Sequence, residues 1–101
     1  MDREHRYKIL KTIIWDYTVS ASDMEELLDG KIDNAGHFTR KKLFVRMLTG
    51  LPWYTIIQLL PVENVNEMLT EEIISTLWPK SVKDQYEYIR KRLQEALQDS
   101  R

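Results

Sequence analysis

The stretch "GHFTRKKLFVRML", Gly36 to Leu48, gathers one histidine and four cations, Arg40, Lys41, Lys42 and Arg46, with no carboxylate among them. Guanidinium and ammonium groups bond phosphate or carboxylate oxygens, so these residue types could hold an anion. His37 and Arg40 also stand where a helix would begin and leave backbone N–H groups facing outward. The same residues have a plainer use. His37 can tether a loop, Arg40 can pair with an acid such as Asp16 or Asp33, and Lys42 and Arg46, four apart, can form a solvated helix face. The sequence leaves both uses open. Trp15 joins His37, Arg40, Lys41, Lys42 and Arg46 as a candidate binding surface, because it falls off the apolar stripe of its own segment.

Other chemistry finds little support. Only two histidines, His5 and His37, and no cysteine are present, which leaves no metal-ligand spacing and no thiol nucleophile. The three glycines stand singly, so no phosphate-cradling loop can form. The adjacent pairs Glu25–Glu26 and Glu71–Glu72 point about 100° apart on a helix and cannot face one substrate together. No Gly-x-Ser-x-Gly turn exposes a serine. We expect no enzyme, no cofactor and no metal.

Helices must position these residues. With three glycines and three prolines in 101 residues, the chain has few places to turn sharply, which favours helices over many strands. Ile9, Leu10, Ile13, Ile14 and Tyr17 recur at helical spacing and predict a first helix from Arg3 to Trp15. Ser22, with Glu25 three residues on, predicts the start of a second that ends at Gly30. "KIDNAG" reads as a loop. Thr39 caps the next helix, which runs to Gly50 with Leu43, Phe44, Met47 and Leu48 on one arc. Lys42 and Arg46 take the opposite arc as a displayed cationic face.

Beyond it, "LPWYTIIQLLP" predicts a short, buried central helix between Pro52 and Pro61. Two more short helices follow, with Thr70 capping the second and Glu71 and Glu72 in its first turn. Ser81 with Asp84 predicts the start of a last helix reaching Leu97. Its stripe, Val82, Tyr86, Ile89, Leu93 and Ala96, has near coiled-coil spacing. The fold class read from this is all-α: a compact single-domain bundle over residues 1–101, of six or seven mostly short helices with a long C-terminal one.

The net charge of −1 argues against non-specific nucleic-acid binding as the main activity. No segment reaches the ~20 apolar residues needed to span a bilayer, and the charged N-terminus lacks a signal-peptide pattern. A cytoplasmic protein without a membrane role is expected.

"IIWDY" followed by "GHFTRKKLFVRMLTGLPWYTIIQLL" resembles a small bacterial domain with a Trp-Asp start, then His with Arg and Phe, an Arg-x-Leu step and a short apolar helix. Trp15, Asp16, His37, Arg40, Phe44, Arg46, Leu48 and Trp53 carry the match, over roughly residues 13–75. Such domains are often encoded beside nucleotidyltransferase-like toxins of the abortive-infection type. The resemblance thus implies an antitoxin or partner-binding role, with no catalytic residues to carry over. Lys41 and Lys42 depart from its pattern, as does the regular helix after Pro79.

The function expected is therefore a non-enzymatic protein-interaction module, an antitoxin-like partner of a nucleotidyltransferase toxin. The alternative is a small helical DNA-binding regulator, which the apolar 53–60 segment disfavours as a recognition helix. Trp15 and the C-terminal stripe leave room for a homo-oligomer.

Overall fold

The Asp2 carboxylate accepts the His5 N–H at 2.8 Å and so caps the first helix, α1, Arg3–Lys11. The structure is a computed structural model that describes residues 2–99. Helix α1 stops at Lys11, short of the expected Trp15. Thr12, Ile13 and Ile14 are three β-branched residues in a row, each restricted at χ1 inside a helix. The Thr12 hydroxyl also donates to the Ile9 carbonyl at 2.6 Å, and the Thr12 and Ile13 N–H groups reach back only three residues. Trp15 therefore lies in a turn, not on a helix face.

Helix α2, Ala21–Asp29, is capped by Ser20 and not by Ser22: the Ser20 hydroxyl accepts the Asp23 N–H at 3.1 Å. Both serines precede an acid by three residues, so spacing alone fits either start. Starting at Ser20 adds a backbone bond from Met24 N–H to the Ser20 carbonyl at 2.9 Å. At the other end Gly30 takes φ 79°, a left-handed value that suits glycine, and Lys31 N–H closes back on the Glu26 carbonyl.

The segment expected to be a loop contains a hairpin. Strands β1, Asn34–Ala35, and β2, Phe38–Thr39, pair antiparallel, Asn34 opposite Thr39 and Ala35 opposite Phe38. Gly36 and His37 form the two-residue turn, and Gly36 supplies the positive φ of 64° that its first position needs. Thr39 then caps α3, Arg40–Gly50, by accepting the Lys42 N–H at 3.1 Å. Leu43, Phe44, Met47 and Leu48 are buried on the arc that the spacing predicts.

Helix α4, Trp53–Leu59, starts after Pro52 and ends before Pro61. It is amphipathic and not buried on every side. Ile56 and Leu59 are buried, whereas Tyr54 and Ile57 are exposed together with Gln58. An apolar run shows no period on a seven-residue helix, so the sequence could not tell its wet side from its dry one.

The chain divides into two compact units, Met1–Leu60 and Pro61–Arg101. In the first, α2 packs on both α1 and α3, and the hairpin joins α2 to α3. In the second, α5, Val62–Met68, and α6, Glu71–Ser75, each pack on α7, Lys80–Asp99. Thr70 caps α6 as expected, accepting the Ile73 N–H at 3.2 Å. Helix α7 starts earlier than Ser81: the Pro79 carbonyl already accepts the Val82 and Lys83 N–H groups, so Ser81 lies within the first turn. Of its stripe Tyr86 is buried, while Val82, Ile89 and Leu93 are half-buried and Ala96 is exposed.

Seven helices and one short hairpin among the described residues make the fold class all-α. No helix among them is long and apolar enough to cross a membrane.

Candidate functional site

The first unit carries the residues singled out above, and α3 positions most of them. Its length lets Arg40 and Arg46, six residues apart, act on two different neighbours.

Arg46 points to the turn that follows α1. Its guanidinium donates to both carboxylate oxygens of Asp16, at 2.9 Å for Oδ2, and to the Ile13 carbonyl at 3.0 Å. Its flat face lies 5.2 Å from the Tyr17 ring centroid, and the Tyr17 ring in turn packs on Phe38 at 4.7 Å. A planar fork that bonds a carboxylate bidentately while stacking on an aromatic ring is a task for arginine and not lysine. The bond from Arg46 holds the Asp16 carboxyl below its ordinary value and raises the guanidinium further above its own. The expected cationic face of Lys42 and Arg46 is thus corrected: Arg46 is half-buried and its charge is matched by Asp16.

Arg40 turns the other way. Its Nε donates to the Leu27 carbonyl at 2.8 Å and its Nη2 to the Leu28 carbonyl at 3.2 Å. These are among the last carbonyls of α2, where a helix leaves acceptors unpaired and carries partial negative charge. The guanidinium lies against Gly30, where an added Cβ would come within 3.3 Å of it. The Arg40 side chain therefore ties helix to helix and pairs with neither the Asp16 nor the Asp33 carboxylate, while its backbone N–H donates to the Asp33 carbonyl at 2.8 Å. An anion at the start of α3 would have to compete with these bonds.

His37 is exposed at the hairpin turn, and Lys41 and Lys42 are exposed on the first turn of α3. The Lys42 ammonium reaches the His37 carbonyl at 3.3 Å. Trp15 is 79% exposed. The six candidates thus separate. Arg40 and Arg46 are internal ties, His37, Lys41 and Lys42 belong to the hairpin side of α3, and Trp15 tops the turn that Arg46 holds.

Beside that turn lies an open depression lined by Thr12, Ile13, Arg46, Thr49 and Gly50. Gly50 permits the close approach of Ile13 at its edge: a Cβ there would stand 2.7 Å from Ile13 Cγ2. The sequence marked Gly50 only as a helix end and gave no sign of this approach. The bond from Arg46 to Asp16 was equally hidden, although both residues belong to the Trp-Asp and Arg-x-Leu pattern quoted above.

The second unit has a groove of about 270 Å³ between α6 and α7, lined by Glu71, Ile74, Ser75, Lys83, Glu87 and Arg90. The Arg90 guanidinium bonds Glu71 across it at 3.4 Å. Among the described residues no three His, Asp or Glu side chains converge on a metal position. The first unit thus carries an exposed indole at Trp15, the ion pair of the adjacent Asp16 with Arg46, and exposed Lys42 one turn before Arg46 on α3. In comparisons with protein-family models, curated proteins and solved structures, nothing matches this chain.

Proposed function

We propose that the chain is a non-enzymatic, cytoplasmic protein-interaction module, an antitoxin-like partner that occludes the working site of a nucleotidyltransferase-like toxin. The observation that carries this reading is Trp15, 79% exposed between residues whose own bonds are internal. A large exposed indole costs solubility and contributes nothing to the core beneath it, whereas tryptophan is prominent among residues that dominate binding energy at interfaces. Tyr54 and Ile57, three apart on the exposed side of α4, add a second apolar surface of the kind that partners cover. Exposed Lys42 supplies a cation that suits an acidic rim on the partner, the charge that Arg46 was expected to share.

Co-expression with the product of an adjacent nucleotidyltransferase-like gene tests this. The two chains should co-elute, and Trp15→Ala should weaken the complex about 30-fold or more, the loss typical of a hot-spot anchor. Failure of the wild-type chain to co-elute would overturn the partner reading. Salt-dependent binding to duplex DNA in its place would favour a helical regulator.

A further inference from the structure

Trp15 is surrounded along the chain by residues that are each fastened. The Ile13 carbonyl accepts from Arg46 at 3.0 Å, and the Ile14 side chain is fully buried. Asp16 takes two bonds from the same guanidinium, and the Tyr17 N–H returns to the Ile14 carbonyl at 3.0 Å. Trp15 and Asp16 are the exposed residues of this turn, and of the two only Asp16 is held by a side-chain bond. A turn whose one free side chain is an indole gains from such fastening, because ordering that backbone beforehand removes an entropic cost from binding.

We infer that Asp16 and Arg46 are positioning residues for Trp15, a clamp that fixes the backbone of the turn so that the indole is presented in one direction to an apolar pocket on a protein partner. The clamp spans two elements: the guanidinium comes from α3, while everything it holds comes from the turn after α1. It therefore aims Trp15 relative to α3 and to exposed Lys42, one turn earlier on that helix. The use of the clamp in recognition rests on the interaction reading above. Its existence does not, and the free protein suffices to test it.

The measurement is backbone 15N relaxation on the free chain, read at the Trp15 amide, with the Trp53 amide in α4 as the internal control. In the wild type both should show the order parameter of a rigid backbone, about 0.85. In Arg46→Ala the Trp15 value should fall below about 0.6, the range of flexible backbone, while Trp53 stays unchanged. Asp16→Ala, which leaves the bond to the Ile13 carbonyl in place, should give an intermediate value and also covers the case that Arg46→Ala does not fold. A mobile Trp15 amide in the wild type would overturn the inference. So would a Trp15 amide that stays ordered in both variants, or one that loosens only in step with Trp53.

Discussion

Arg46 bonds both oxygens of the Asp16 carboxylate across thirty residues of sequence, and the same guanidinium holds the carbonyl of Ile13. One side chain of α3 thereby fixes the turn on which Trp15 stands. Arg40, from the start of that helix, does comparable work on the last carbonyls of α2.

The Asp16 carboxyl should titrate below its ordinary 3.8, because its ionised form is the one that Arg46 bonds. The sign follows from linkage: a carboxyl with a lowered folded-state value contributes stability that is present above the ordinary value and lost as pH falls through the lowered one. Its side-chain carbon shift, followed by NMR from neutral pH into acid, should show this. In Arg46→Ala the midpoint should return toward 3.8.

Arg40→Ala should cost about 1–3 kcal/mol, since it leaves the Leu27 and Leu28 carbonyls without their charged donor. Arg40→Lys should recover only part of this, because a single ammonium cannot reproduce the fork that reaches both oxygens. Urea denaturation would measure both. A loss for Arg40→Ala within a few tenths of a kcal/mol would contradict the tie.

Ser20→Ala and Ser22→Ala separate the two possible starts of α2. The first removes the bond to the Asp23 N–H and should cost about 1 kcal/mol. The second changes an exposed position inside the helix and should stay within about 0.5 kcal/mol. Thermal unfolding of the pair is sufficient, and the reverse order would move the cap to Ser22.

Gly50→Ala should destabilise by about 1–3 kcal/mol, although alanine is the better helix former, because its Cβ would press on Ile13 Cγ2 at 2.7 Å. The double variant with Ile13→Ala should lose less than the two single changes added together. Additivity would show that the close approach is not the cause.

Much of the scaffold was legible in local sequence. Gly30, Thr39, Pro61 and Thr70 mark helix ends through their own backbone preferences or side-chain oxygens, and the structure places each where the sequence predicted it. The core arc of α3 was readable for the same kind of reason, a period of 3.6 acting on four adjacent apolar residues. Legibility failed where two local choices were equally good, as with Ser20 and Ser22. It failed too where the segment was too short to show a period, as in α4 and the hairpin of Asn34–Thr39. Trp15 was singled out on the wrong helix geometry, yet the residue is exposed, because the turn that replaces the helix also leaves it outside.

What the sequence determined by itself was therefore the all-α class, most helix ends, and the residue types available for recognition. Each follows from interactions within a few residues of chain, where spacing is information enough. What only the tertiary structure decided was which cations are spent and which are displayed. Arg46 could be read as half of a cationic face until Asp16 and Ile13 arrived beside it. Arg40 could be read as an anion site until the end of α2 did. A guanidinium bonds whatever acceptors the fold brings within 3 Å or so, and partners twelve to thirty-three residues away leave no trace in local spacing.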